Sequence, residues 1–249
     1  MDSNPILHDA AWMSFTLLYV LLVILLPRIA KEKGLISSFM ARKIIHLFAG
    51  LAVLVTPYLY YPILSVFLAG AMTIMTYKSG EKTGITQLKK LYEAIGEEEE
   101  KKVGYLQGPF GYSLSITILV ALFLLAPDLY YFPIAAILIM IIADTGASVF
   151  GKKFGKHIIN IKFIQSKRTV EGSLFFFILA FLCALFAYLF IGVFFPGFSH
   201  PLETRTALFL SFMTALISMS LEIISPGKWD DMIVPIGTSI LVYLLFLFL

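Results

Sequence analysis

The apolar residues of this chain lie in blocks of roughly 16 to 22, the length of helix that crosses about 30 Å of hydrocarbon. Eight blocks are legible: 11–27, 44–60, 62–77, 109–126, 130–149, 173–195, 206–224 and 232–249. A transmembrane β-barrel would instead show short segments of alternating polarity. Only 14% of the residues are charged, against about 25% in a soluble domain. The expected fold is an all-α polytopic membrane protein of about eight transmembrane helices, a single domain over 1–249. Small residues on the helix faces permit a homodimer without requiring one. The first block has neither a basic lead-in nor a small-residue cleavage site, so it reads as a retained span.

The basic residues between blocks set the orientation. Of 19 Lys and Arg residues, all but Arg205 fall on one side. Arg28, Lys31, Lys33, Arg42 and Lys43 follow the first block, and Lys78, Lys82, Lys89, Lys90, Lys101 and Lys102 the third. Lys152, Lys153, Lys156, Lys162, Lys167 and Arg168 follow the fifth, and Lys228 the seventh. That side is expected to be cytoplasmic, in the cell membrane of a prokaryote or the endoplasmic reticulum membrane, with both termini outside. A net charge of +3 leaves no nucleic-acid footprint, and the lone Cys183 excludes a disulfide framework.

Two charged loops stand out. In 78–107, Ile85, Leu88, Leu91, Tyr92 and Ile95 recur at helical spacing, with Lys89, Lys90 and Glu93 between them. This predicts an interfacial amphipathic helix or, more plainly, a surface hairpin without chemistry, followed by a solvated charge run at Glu97–Glu100. The loop 150–172 carries glycines and cations and is expected to bind a nucleotide.

Four polar clusters fall on the basic side. Asp144 ends an apolar run, where a carboxylate is costly and therefore a candidate functional group. It opens a segment of small residues through Ser148, Gly151, Lys152, Gly155 and Lys156. The two glycines fit either close ligand approach or helix packing. Ser166, Lys167, Arg168, Thr169, Glu171 and Gly172 precede the sixth block. Lys167 and Arg168 suit phosphate, Ser166 and Thr169 suit helix caps, and Glu171 suits a metal or a salt bridge. Glu222, Asp230 and Asp231 form the third cluster, and one of the two adjacent aspartates is expected to face the site because neighbours diverge on a helix. Arg42, Lys43 and His46 open the second block, and Gly108-Pro109 begins the fourth. Carboxylates beside cations, without a Cys or a Ser–His pair at a telling spacing, point toward Mg²⁺ and phosphates at a site on the cytoplasmic face. Zinc chemistry and acyl transfer are poorly supported.

These motifs, in this order, resemble the CTP-dependent polyprenol kinases, the family of dolichol kinase and phytol kinase. The resemblance rests on Arg42-Lys43 with His46, Asp144 through Gly155, Lys167 with Glu171-Gly172, and Glu222 followed by Asp230-Asp231 and Pro235, across nearly the whole chain. The middle segment is also similar to the CTP:phosphatidate cytidylyltransferases, whose terminal His-Gly-Gly signature this chain replaces with Ser225-Pro-Gly-Lys-Trp-Asp-Asp. Where the kinases often carry Asp-Asn, this chain has Asp230-Asp231. The resemblance implies CTP as donor, a membrane-embedded isoprenoid alcohol as acceptor and Mg²⁺ as cofactor. It implies a metal set of Asp144, Glu171, Glu222 and Asp230, and Asp231 or Glu222 as proton acceptor. The nucleotide would be held by Arg42, Lys43, His46, Ser148, Gly151, Lys152, Gly155, Lys156, Lys167, Arg168, Thr169 and Gly172. A CTP-dependent phytol, geranylgeraniol or diacylglycerol kinase, a CDP-lipid synthase and, outside enzymes, a lipid or ion transporter are the other readings.

Overall fold

The structure, a computed structural model, describes residues 4–96, 98–161, 168–194, 201–227 and 229–249. Among the described residues six helices are long and apolar enough to cross a membrane: α1 (Pro5–Glu32), α2 (Ser38–Tyr58), α6 (Gln107–Leu125), α7 (Tyr131–Phe154), α8 (Val170–Phe194) and α9 (Thr204–Ile224). The third and eighth predicted blocks are also helical, as α3 (Ile63–Lys78, 16 residues) and α10 (Asp230–Phe246, 17 residues). The helices carry large exposed apolar side chains such as Phe15, Phe67, Leu174 and Phe212, a surface suited to hydrocarbon rather than water. The chain is an all-α polytopic membrane protein. It divides into two compact units, Met1–Ala121 and Leu122–Leu249.

In the first unit, α1 opens on an Asn4 cap that accepts the Ile6 N–H at 3.0 Å. It closes on Gly34 (φ +73°), with Gly34 N–H donating to Lys31 C=O and Leu35 N–H to Ala30 C=O. Those two bonds satisfy the orphan carbonyls of the last turn, and the positive φ favours glycine. At the other end of α1, the buried Asp9 carboxylate accepts the backbone N–H groups of Tyr60 and Tyr61 at 3.0 and 2.8 Å, fastening the α2–α3 turn.

The predicted amphipathic segment is helical as α4 (Thr86–Ile95), followed by α5 (Glu98–Val103). Its apolar face is not left to the membrane interface. Leu91, Tyr92, Ala94 and Ile95 are buried with Ala41 of α2 and Leu106, against Ile24, Ile45 and Met75. Glu100 also departs from the expected solvated run. It is 5% exposed and takes a 2.7 Å hydrogen bond from Arg42 Nη1 and a 2.8 Å bond from the Gly108 N–H. A carboxylate placed at that depth needs such partners, and local charge density does not reveal them.

In the second unit, the first eight residues of α7, Tyr131–Leu138, are all buried, as befits a helix apolar on every side and packed at the centre. A π-helical turn, Ile139–Ala143, follows, and α-helix resumes at Asp144. α8 and α9 pack together, with small buried residues on each: Ala180, Ala184 and Ala187 on one, Ala207, Ser211, Ala215 and Ser218 on the other. Small residues let helix backbones approach closely where no hydrophobic driving force exists between lipid and helix. The hydroxyls of Ser211 and Thr214 bond back to carbonyls four residues earlier, and Tyr188 meets Thr214 at 2.9 Å.

Breaking the Arg42–Glu100 pair from one side leaves a buried charge. Arg42→Met is expected to destabilise the protein by about 3–5 kcal/mol, and adding Glu100→Gln to recover a good part of that loss. Thermal unfolding of both variants in detergent checks this; equal instability of the single and double variants would contradict it.

Candidate functional site

The candidate site is a cavity of ≈ 380 Å³ in the second unit, built by four helices and one strand. α7 contributes Asp144, Ala147, Ser148, Gly151 and Lys152. Their spacing is that of a single helical face, so resuming α-geometry at Asp144 aligns the whole stripe. Residues 158 and 159 then form a short antiparallel pair, β1 (Ile158–Ile159) with β2 (Arg168–Thr169), in register Ile158↔Thr169 and Ile159↔Arg168. The pair delivers Arg168 and Thr169 to the cavity, where α8 begins. Thr169 Oγ1 accepts the Gly172 N–H at 3.2 Å and caps that helix. Glu222 comes from the end of α9, Gly227 from the turn beyond it and Asp230 from the first residue of α10.

Arg168 organises the charges. Its Nε lies 3.0 Å from Glu222 Oε1, and its Nη2 lies 3.4 Å from both Asp230 Oδ2 and Ser225 Oγ. Its remaining nitrogen, Nη1, is buried and has no partner among the described residues. Arg168 lines the cavity, and its planar fork of donors is a geometry that matches an oxyanion. Ser173 Oγ donates to Glu222 Oε2 at 3.4 Å. Asp144, Glu222 and Asp230 therefore share one cavity with Lys152 and Arg168. Clustered oxygen donors are the ligand type of a hard divalent cation, and cations beside them match bound phosphate. The residues present fit Mg²⁺ with a polyphosphate.

Gly151 and Gly155 divide between the two roles left open by sequence. Gly151 lines the cavity; a Cβ there would also meet Thr169 Oγ1 at 3.1 Å and Gly172 Cα at 3.5 Å. Gly155 is absent from the cavity wall. A Cβ on it would strike the Gly151 carbonyl and lie 2.6 Å from Thr169 Oγ1. It is a packing residue that lets the β-pair close on α7.

The other expected site residues are distributed as follows. Glu171 is turned away from the cavity wall. Its Oε1 lies 2.6 Å from His157 Nδ1, and its Oε2 accepts the N–H groups of Lys156 and His157 at 3.1 and 3.3 Å. Glu171 is not in the cavity lining, and that local clamp also takes up the backbone N–H of Lys156. Asp231 does not line the cavity, whereas Asp230 does, as expected for adjacent helical residues. Lys167 lies outside the described residues, as do Ser166 and Lys228. Arg42, Lys43 and His46 belong to the first unit. There Arg42 is committed to Glu100, and the His46 ring packs on Tyr112 at 4.4 Å between centroids. Ser173 and the His157 partner of Glu171 were not anticipated. Ser173 sits one turn after Thr169 at the mouth of α8, a spacing that would have marked it.

Comparison with protein-family models, with curated proteins and with solved structures gave no match.

Gly155→Ala is expected to cost about 1–3 kcal/mol through overpacking against backbone. A melting temperature equal to that of the unmodified protein would contradict the close packing of Gly155 against Thr169.

Proposed function

We propose that this chain is an integral membrane kinase that transfers the γ-phosphoryl of CTP to the hydroxyl of a long-chain isoprenoid alcohol, giving a dolichyl or polyprenyl phosphate. The observation that carries the reading is the meeting of Asp144, Glu222 and Asp230 with Lys152 and Arg168 around one cavity. The nucleotide and the alcohol come from the motif resemblance of the sequence. In this reading eight helices cross the membrane, the termini lie outside, and the charged cavity faces the cytoplasm of a prokaryote or the cytoplasmic side of the endoplasmic reticulum.

Asp144 and Asp230 would hold Mg²⁺, which supplies charge neutralisation on the triphosphate. Lys152 and Arg168, both in the cavity wall, bind phosphate oxygens. The alcohol keeps its tail in the bilayer and brings its hydroxyl to the helix ends. Its oxygen attacks the γ-phosphorus, the bond to the β–γ bridging oxygen breaks, and CDP leaves. The hydroxyl proton passes to Glu222, chosen over Asp231 because Glu222 lines the cavity. Positioning and fixed charge supply most of the rate, as is general for phosphoryl transfer.

The test uses purified protein in detergent with Mg²⁺, γ-labelled CTP or ATP, and polyprenols, phytol and diacylglycerol as acceptors. Labelled prenyl phosphate from CTP, with CDP released, is the expected result. Asp144→Asn should lower that turnover by about 10²-fold or more while the protein still folds. Pyrophosphate release with phosphatidic acid would make the protein a CDP-lipid synthase. Neither product would return it to the lipid or ion transporters.

A further inference from the structure

The first unit contains a second cavity, of ≈ 110 Å³, of a different chemical character. It runs along the helices. Its lining extends from Ile45 to Thr56 on α2, from Ser65 to Thr76 on α3 and from Pro109 to Val120 on α6. Eleven residues of α-helix correspond to about 16 Å, roughly half the hydrocarbon thickness of a bilayer. The space is opened by small residues: Ala49, Gly50 and Ala52 on α2 and Ala69 on α3. Met72 and Met75, whose flexible side chains adapt to irregular partners, form part of its wall.

Among the described residues the cavity offers no vacant hydroxyl. Thr56 donates to Ser65 at 3.0 Å, Thr76 and Ser113 meet at 3.1 Å, and Tyr112 donates to the His46 carbonyl at 2.7 Å. A headgroup would therefore find nothing to bind. Water is equally ill suited: a single molecule needs about 10–15 Å³ but also two to four polar partners. Native interiors rarely leave a void of this size unfilled. Elongation, apolar walls and satisfied hydroxyls together select an extended apolar occupant.

We infer, independently of the kinase reading, that this cavity is a binding site for one hydrocarbon chain of a membrane lipid, inserted lengthwise between α2, α3 and α6. The chain is recognised by shape and apolar contact alone. A long-chain prenol and a phospholipid acyl chain share that chemistry.

The test irradiates the purified full-length protein in detergent with a long-chain prenol or a phosphatidylcholine, each bearing a diazirine in its chain. Peptide mass spectrometry then locates the adducts. Label on Met72, Met75 or Ile116 is expected, all three being in the cavity wall. Phe67 and Ile74 of the same helix α3 are 69% and 58% exposed, so they report lipid bound to the outer surface. Wall adducts from the prenol identify an isoprenoid occupant and from the phosphatidylcholine an acyl one; either supports the site. Ala69→Trp should lose the wall adducts and keep those at Phe67 and Ile74. If that variant fails to fold, the adduct map of the unmodified protein decides alone. Label confined to Phe67, Ile74 and other outward residues, with none in the wall, would overturn the inference.

Discussion

The second unit depends on the charge pairing around Arg168. Glu222 and Asp230 stand at the ends of apolar helices, where an uncompensated carboxylate is costly. Arg168 touches both, together with Ser225, and it arrives on a strand rather than on either helix. Satisfying those charges fixes β2 against α9 and α10. The Thr169 cap and the nearby glycines then follow from the same placement, because a Cβ on Gly151, Gly155 or Gly172 would crowd Thr169. Fold and candidate site are thus held by one group of contacts. That group leaves a charged cavity beside it.

Much of this was legible in the chain because membrane physics is strict. Backbone polar groups cannot be left bare in hydrocarbon, so long apolar blocks become helices. All eight expected blocks contain helix, and six reach spanning length. Asp144, Glu222, Asp230 and Arg168 stood out because charges beside apolar runs are expensive, and all four line the cavity. What sequence did not give is pairing at a distance. Arg42 resembled a ligand-binding cation, yet Glu100, 58 residues away, takes it. Glu171 resembled a metal ligand, yet the turn after α7 presents two N–H groups and an imidazole to it. The apolar stripe of α4 was read correctly as amphipathic, but periodicity does not say whether lipid or protein covers it. Here α1, α2 and α3 provide part of that cover.

The two units carry voids of opposite chemistry. One is lined by three carboxylates and two cations, the other by aliphatic side chains with every hydroxyl bonded. Each follows from its own sequence signature, the first from charged residues at helix ends and the second from Ala and Gly inside apolar blocks.

Equilibrium binding of CTP to the purified protein, with and without Mg²⁺, tests the charged cavity most directly. Binding that requires Mg²⁺ and weakens by about ten-fold or more in Arg168→Gln is expected, the loss of one charge-assisted hydrogen bond or more. CTP affinity that is unchanged by Mg²⁺ removal, or equal in the unmodified and Arg168→Gln proteins, would contradict a metal–phosphate site organised by Arg168.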